Sequence, residues 1–325
     1  MDMHRRRLLA AMASAGAVVT CTGLPLGGAR ANGMTRILVG FAPGGAADLV
    51  ARALAEGLRA SGCTAIVENK AGAGGRIATD GLLSASDGNT LLFTPSTNLT
   101  LFPHIYKDLR YTVDTFAVYG TACEFDMGFA VGAASPARTL PEFLEMARKD
   151  RQMAAYGTPG TGTIMHFLGV LLSQTSGVPL THVPYKGGSM ALTDAMGGVL
   201  PMLVTTLPAM IPMHKSGRIR ILATSGKAPS PDVPEVPTFA SLGFPDLTIS
   251  EYFVLLGQKG TDPARAAVMS EAMAVAVRSP GFERAVRQLY FSPLSTEPRT
   301  LAQRLKRDDG FWAGVVKRTG YTPEA

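Results

Sequence analysis

The feature that most constrains the fold is a pattern that recurs along the chain: an apolar run, a loop of small polar residues, then a helical period. It first occurs at "ILVGFAPGGAADLVARAL", where the run Ile37–Phe41 enters a Pro-Gly-Gly turn and apolar residues then recur at helical spacing. Strands that alternate with helices are typical of a mostly parallel sheet. We therefore predict the α/β fold class.

Four predicted strands end in loops of glycine, serine, threonine and asparagine, at residues 42–47, 69–76, 95–98 and 157–163. In open α/β sheets, ligands bind beyond the carboxyl ends of the strands. Such loops offer N–H and hydroxyl donors without a fixed charge, and a helix that starts behind a loop favours an anion. The pattern therefore predicts a cleft around a small polar ligand.

The residues after these loops disfavour nucleotide sites. No loop continues into the Lys-Ser or Lys-Thr of a phosphate-binding P-loop. The segment "GAGGRI" begins like a dinucleotide-binding motif but has Ile77 at its sixth position. We expect no nucleotide cofactor, and we expect no other cofactor.

Catalytic and metal motifs are also missing from the sequence. It contains no G-x-S-x-G elbow and no Cys/His cluster, so neither a hydrolase nor a zinc site is indicated. His166 follows Thr163 by three residues at a predicted helix start, where support of the loop is favoured over contact with a ligand. Asp48 precedes Arg52 by four residues, which favours a structural ion pair. We predict a protein that is not an enzyme.

Residues 1–31 are predicted to be an export signal peptide. Arg5, Arg6 and Arg7 precede an apolar run that is shorter than the ~20 residues of a membrane span, and Ala29-Arg30-Ala31 places small residues at a cleavage site. This predicts a periplasmic protein. The twin-arginine route and the ordinary secretory route both stay open.

Charge and cysteine content narrow the possible partners. Without the signal, which holds four basic residues and one acid, the chain has 27 basic and 24 acidic residues, a net charge near +3. No basic cluster has interleaved aromatic residues, so we expect no nucleic-acid partner. Cys63 and Cys123 remain, and free thiols are favoured over a disulfide, which stays open.

Several segments together resemble one family, the substrate-binding receptors of tripartite tricarboxylate transporters, also called Bug receptors. They occur in the family's order over essentially the whole mature chain, and the most specific are "VENKAGAGG" and "HVPYKGG". The others are "GFAPGGAADLVARALAEGL", "DGNTLLFTPSTNLTLFPHIYKDLRY", "YGTPGTGTIMHF", "KSGRIRILATS" and "DVPEVPTFASLGFP".

The resemblance implies a two-lobed type II periplasmic binding protein, or Venus flytrap, with a cleft between the lobes. Lobe 1 would comprise residues 32–131 and 253–325, and lobe 2 residues 132–252. The chain would cross between lobes near residues 130–133 and 251–253, where two long apolar strands are predicted.

The same resemblance implies a carboxylate held by N–H groups, hydroxyls and ordered waters. Carried onto this chain, the ligand-binding residues are Phe41, Ala42, Gly45, Ser96, Thr97, Asn98, Thr158, Thr161, Gly162 and Thr163, with Tyr185 and Lys186 nearby. Thr206 and Tyr252 complete the predicted ligand-binding set, beside the residues that the resemblance assigns. For the three aromatic residues in this set, taken on sequence position alone, packing in the core is favoured over contact with a ligand.

Two departures from the family pattern bear on the ligand. Many relatives have Phe-Asp-Asn where this chain has Val204-Thr205-Thr206, which removes a carboxylate that could bind an ammonium group. We therefore expect a simple carboxylate rather than an amino acid. Arg76 replaces a frequent Asn and points either into the cleft or to solvent.

The implied function is that of a monomeric receptor that captures a small carboxylate and delivers it to a membrane permease of the tripartite type. A sensor for a membrane histidine kinase would have the same pocket and stays an alternative. An enzyme on the same fold is disfavoured because no acid, base or nucleophile converges.

Overall fold

The computed structural model describes residues 34–321. Short aliphatic and aromatic runs form the strands, as their preference for a buried pleated surface requires. The strands are β1 (Thr35–Val39), β2 (Ala65–Asn69), β3 (Thr90–Pro95), β4 (Phe116–Gly132), β5 (Ala155–Thr158), β6 (Thr181–Pro184), β7 (Met202–Thr206), β8 (Ile219–Thr224), β9 (Ser250–Gln258) and β10 (Ser292–Pro293).

Several helices begin at capping residues that the sequence offers. Thr139 accepts a hydrogen bond from the Glu142 N–H at 3.3 Å, and Asp262 accepts one from the Arg265 N–H at 3.0 Å. The helices are α1 (Ala46–Ala60), α2 (Arg76–Leu83), α3 (Thr97–Thr100), α4 (Phe102–Ile105), α5 (Leu140–Lys149), α6 (Ile164–Ser176), α7 (Gly188–Met196), α8 (Leu207–Lys215), α9 (Pro263–Val277), α10 (Pro280–Gln288) and α11 (Pro298–Thr319).

The strands form one continuous sheet in the order β2-β1-β3-β9-β4-β7-β5-β6, with β8 and β10 also paired to β4. The prediction of an α/β fold is confirmed. The expectation that the sheet is mostly parallel is wrong at its centre, where β9 is antiparallel to both β3 and β4. Among the strands of residues 34–321, β1 pairs in parallel with β2 and β3, and β5 pairs in parallel with β6 and β7.

Strand β4 joins the two parallel regions of the sheet. Its residues 116–126 pair with β9, and its residues 127–132 pair with β7 and β8. Its partner therefore changes between Asp126 and Met127, and β9 begins at Ser250. The lobe crossings expected at 130–133 and 251–253 stay a prediction.

An aromatic cluster underlies the centre of the sheet. The ring of Phe253 lies 5.1 Å from that of Phe93 and 4.8 Å from that of Phe125, between centroids, and Phe125 meets Phe291 edge to face at 5.3 Å. These buried rings hold β3, β4 and β9 together, since aromatic pairs add to the free energy of apolar burial.

Cys63 and Cys123 are free thiols rather than a disulfide. Among residues 34–321, no helix combines the length and the hydrophobicity that crossing a membrane requires. The predicted signal, residues 1–31, lies outside the described residues.

Candidate functional site

A cavity of about 270 Å³ opens where the carboxyl ends of several strands meet. Its wall is formed by the first turn of α1, the β3–α3 junction, the start of α6, the loop before α7, the β7–α8 junction, the start of β9 and residues 288–291. Its volume lies near the lower end of the range for small-molecule sites, about 300 Å³. The cavity therefore suits a small ligand.

Four helices begin at this cavity. The wall includes Gly45 and Ala46 at the start of α1, Thr163 at the start of α6, Gly187 before α7 and Thr206 before α8. Each helix has nine residues or more. Because a helix N-terminus carries a partial positive charge and free N–H groups, four of them together favour an anion.

Three of these N-termini have no side-chain cap. Neither Gly45 nor Gly187 has a side chain that could accept, and the Thr206 side chain accepts no hydrogen bond from α8. At α6, by contrast, Thr163 accepts from the His166 N–H at 3.4 Å. The first N–H groups of α1, α7 and α8 are thus left without that internal partner.

Two buried polar atoms in the wall have no hydrogen-bond partner among residues 34–321. They are Asn98 Oδ1 and Thr206 Oγ1, and their side chains belong to residues only 1% and 4% exposed. The amide nitrogen of Asn98, by contrast, has a partner, because it donates a hydrogen bond to the Gly74 carbonyl at 3.3 Å. A buried polar atom without a partner is costly, so both atoms point to a ligand or an ordered water.

Glu251 is the one charged side chain in the cavity wall formed by the described residues, and that wall includes no lysine, arginine or histidine. It accepts hydrogen bonds from Ser96 Oγ and Thr97 Oγ1, each at 2.5 Å, and from the Tyr252 N–H at 3.1 Å. Burial outweighs these bonds and raises the pKa of Glu251 to about 7.

Glu251 was not among the residues predicted from the sequence. The signal that could have found it is a single acid inside the otherwise apolar strand "SEYFVLLGQ". The strand β9 thus supplies a carboxylate to the cavity wall although Val204-Thr205-Thr206 lacks the aspartate of Phe-Asp-Asn, and the expected preference for a simple carboxylate stays a prediction.

The predicted ligand-binding residues divide into two groups. Six line the cavity: Phe41, Gly45, Thr97, Asn98, Thr163 and Thr206. The other seven do not form its wall: Ala42, Ser96, Thr158, Thr161, Gly162, Tyr185 and Tyr252.

Several members of the second group have polar partners elsewhere. Ser96 donates to Glu251, Tyr185 donates its hydroxyl to Asp194 at 2.7 Å, and Tyr252 donates its hydroxyl to Asp308 at 2.6 Å. Their part in binding stays a prediction; the observed bonds show support of neighbouring segments.

Two histidines, His166 and His182, form hydrogen bonds with the loop 157–163. The Gly162 N–H donates to His166 Nδ1 at 3.1 Å, and Thr158 Oγ1 lies 2.7 Å from His182 Nε2. The hydroxyl of Tyr106 donates to the Thr161 carbonyl at 3.3 Å. The expectation that His166 supports the loop agrees with this geometry, and the role of His182 was missed.

The first glycine loop depends on Asp48. Its carboxylate accepts from the Gly44 N–H at 2.9 Å, from Asn69 Nδ2 at 2.9 Å and from Arg52 Nε at 3.0 Å. Burial opposes the charge, but the hydrogen bonds from Arg52, Gly44 and Asn69 hold the pKa of Asp48 below its ordinary value. The predicted structural role of Asp48 is confirmed.

Arg76 is not in the cavity wall. Its guanidinium lies over the Tyr106 ring, 3.8 Å from the centroid, and its Nε donates to the Ala73 carbonyl at 3.3 Å. Within residues 34–321, no group of three or more histidine, cysteine or acidic side chains could hold a metal ion.

Comparison with known proteins agrees with this architecture. The family model described as tripartite tricarboxylate transporter family receptor matches residues 50–320. Protein BugT of Bordetella pertussis is 31% identical over 293 residues, which cover 88% of this chain and 89% of BugT.

Solved structures show the same fold. The periplasmic binding protein BugD superposes with a TM-score of 0.85 at 27% identity, covering 90% of this chain and 99% of BugD. MatC from Rhodopseudomonas palustris, with bound malate, superposes with a TM-score of 0.80 at 25% identity, covering 87% of this chain and 99% of MatC. The chain belongs to the tripartite tricarboxylate transporter receptor family, whose fold is that of the periplasmic binding proteins.

Proposed function

We propose that this protein is a periplasmic receptor that binds a small carboxylate in the cavity and delivers it to a tripartite permease. The observation that carries the proposal is the meeting of four helix N-termini around two unpartnered buried atoms, Asn98 Oδ1 and Thr206 Oγ1. The family membership and the malate bound by MatC support the same class of ligand.

In the proposed binding mode, Thr206 Oγ1 is a hydrogen-bond donor and Asn98 Oδ1 is an acceptor. The Thr206 hydroxyl and the free N–H groups of α1, α7 and α8 donate to the carboxylate oxygens. Asn98 Oδ1 accepts from a donor, either a hydroxyl of the ligand or a water molecule held by its carboxylate. Charge-assisted hydrogen bonds of this kind contribute about 1.5–3 kcal/mol each.

We also propose the two-lobed arrangement, with residues 32–131 and 253–325 in lobe 1 and residues 132–252 in lobe 2. The change of pairing partner along β4 supports it, as does the sheet order that puts β1, β2 and β3 on one side and β5, β6 and β7 on the other. In this proposal residues 1–31 direct export, and the receptor works as a monomer.

Thermal unfolding in the presence of small carboxylates tests the proposal. Lactate, propionate, succinate, malate and aspartate cover the presence of a hydroxyl, a second carboxylate and an ammonium group. At least one should raise the melting temperature in proportion to the logarithm of its concentration above the dissociation constant. If none of the five shifts the melting temperature at millimolar concentration, the proposed ligand class is wrong.

A further inference from the structure

Glu251 poses an electrostatic problem for a receptor that binds an anion. Its side chain is in the cavity wall, is only 1% exposed and has no cationic side chain beside it in that wall, as the described residues form it. Two carboxylates that share a poorly hydrated cavity repel each other strongly, and one of them keeps its proton.

Protonation of Glu251 would remove this repulsion, and the hydrogen bonds of Glu251 show what would change with it. When Glu251 is ionised, Thr97 Oγ1 donates to its Oε2, and the Thr97 hydroxyl has no proton left for the cavity. When Oε2 carries a proton, it donates to Thr97 Oγ1 instead, and the Thr97 hydroxyl is then free to donate to a ligand oxygen. Thr97 lines the cavity and Ser96 does not, so the change at Thr97 reaches the ligand.

Resting on the proposed function, we propose that Glu251 takes up one proton from solvent when a carboxylate enters the cavity. The proton binds Oε2, the Glu251–Thr97 hydrogen bond reverses, and the Thr97 hydroxyl donates to the ligand. Binding of a carboxylate is then tighter at lower pH.

The charges around Glu251 favour this uptake near neutral pH. From α11, the negative charge of Asp308 adds to burial in raising the pKa of Glu251, to about 7. Arg304 of α11 lies over the Tyr252 ring at 3.8 Å and is paired with Glu124 of β4. Asp126 of β4 accepts from the Ser250 hydroxyl at 2.7 Å.

The strand register separates these β4 charges from the cavity. Glu124 is opposite Tyr252 and Asp126 is opposite Ser250, whereas Phe125 is opposite Glu251. Because side chains alternate between the faces of a strand, Glu124 and Asp126 lie on the face away from Glu251. The guanidinium of Arg304 is therefore occupied on that face and does not supply the missing cation in the cavity.

An ammonium group on the ligand would solve the same problem without a proton. The structure favours the proton, since both Glu251 oxygens already accept hydrogen bonds and the side chain is almost fully enclosed. Two donors already bond Oε1 and one bonds Oε2, so an ammonium would find a single open acceptor site, on Oε2. A ligand of that kind would bind without proton uptake, so the two cases give opposite results.

The test is titration calorimetry with lactate and with malate at pH 6.5 and pH 8.5, in two buffers of different ionisation enthalpy. The buffer pair measures protons taken up by the wild-type protein and needs no variant. We expect uptake that approaches one proton near pH 8 and an affinity that falls roughly tenfold per pH unit above pH 7. Lactate, a simple carboxylate, stays ionised throughout this range.

Two variants test whether Glu251 is the residue that takes up the proton. E251Q keeps the shape of the side chain and cannot ionise, so its affinity should be the same at both pH values. D126N changes a partly buried acid outside the cavity wall and should keep the wild-type pH dependence. No uptake by the wild type, or an unchanged pH dependence in folded E251Q, overturns the inference; the absence of binding at both pH values overturns the proposed function and the inference with it.

Discussion

The imidazole rings of His166 and His182 stack with their centroids 3.8 Å apart and an interplanar angle of 17°. Burial lowers the pKa of His166 to about 4, and burial together with the charge of His166 lowers the pKa of His182 to about 3. Both rings are therefore neutral at physiological pH. In that form His166 Nδ1 accepts from Gly162 and His182 contacts Thr158, beneath the cavity loop.

This pair predicts a loss of stability in acid. The unfolded chain binds protons at both histidines below pH 6.5 whereas the folded chain does not, so the free energy of unfolding falls as the pH drops from 6.5 towards 4. Each histidine contributes about 1.4 kcal/mol per pH unit over that interval. Urea unfolding of His182→Gln at pH 7.5 and pH 5 should show a smaller loss than the wild type.

His104→Gln is the matched control, because His104 Nε2 pairs with Asp309 Oδ1 at 2.9 Å away from the stack. It should not reduce the acid loss as His182→Gln does. A wild-type loss that persists in full in His182→Gln would show that the stacked pair is not its source.

Thr206→Val should separate binding from stability. The substitution removes a buried hydroxyl oxygen that has no partner among the described residues, so the free energy of unfolding of the unliganded protein should stay level or rise. Carboxylate affinity should fall by about tenfold or more, because one donor to the ligand is lost. Calorimetry and urea unfolding measure the two effects.

Thr224→Val is the control for this variant. Thr224 Oγ1 is also buried and without a partner within residues 34–321, but Thr224 is not in the cavity wall. It should keep wild-type affinity. Equal affinity in both variants would remove Thr206 from the binding site.

Asp48→Ala should destabilise the protein. It leaves the Gly44 N–H and the Asn69 amide without their buried acceptor, at a cost of about 1–3 kcal/mol in the free energy of unfolding. Glu56→Ala breaks only an exposed pair with Arg59 and should cost less than about 1 kcal/mol. Similar losses in both variants would mean that Asp48 does not hold the loop.

Gly74→Ala should weaken both stability and binding. Gly74 has a φ of +64°, and a Cβ there would lie 2.7 Å from the Thr161 carbonyl oxygen, which belongs to the loop 157–163. The loop must move, and the Asn98 amide that bonds Gly74 moves with it. Carboxylate affinity measured by calorimetry should fall.

Gly62→Ala provides the comparison, since Gly62 has a φ of +81° and no atom within 4 Å of the added Cβ. The variant carries backbone strain of about 1–2 kcal/mol, because alanine disfavours a positive φ, but it has no clash. It should lower the melting temperature and leave affinity unchanged. If Gly74→Ala also keeps full affinity, the contact between the two loops has no part in binding.

The sequence predicts the positions of the loops at the strand ends better than it predicts which of these loops line the cavity. The loops 42–47, 95–98 and 157–163 contribute to the cavity wall as expected, and the loop 69–76 does not. The loop 69–76 instead bonds residues that line the wall, since the Asn98 amide nitrogen donates to the Gly74 carbonyl and the Asn69 amide nitrogen donates to the Phe41 carbonyl. The ends of β6 and β7 contribute instead, through Gly187 and Thr206.

Glu251 shows a different limit of sequence reasoning. An acid in an apolar strand is ordinarily taken for a residue at an exposed position, because charged side chains are rarely fully buried. What makes burial possible is the pair of hydroxyls from Ser96 and Thr97, which lie 155 and 154 residues earlier in the chain. No pattern of neighbouring residues in the sequence indicates a contact between residues so far apart in the chain.

The most direct measurement of the proposed binding mode is a crystal structure of the protein grown with lactate or malate. We predict a carboxylate in the cavity, with one oxygen within hydrogen-bond distance of Thr206 Oγ1 and the other within reach of N–H groups in the first turns of α1 or α7. A carboxylate bound elsewhere on the protein, with Thr206 Oγ1 still unpartnered, would contradict it.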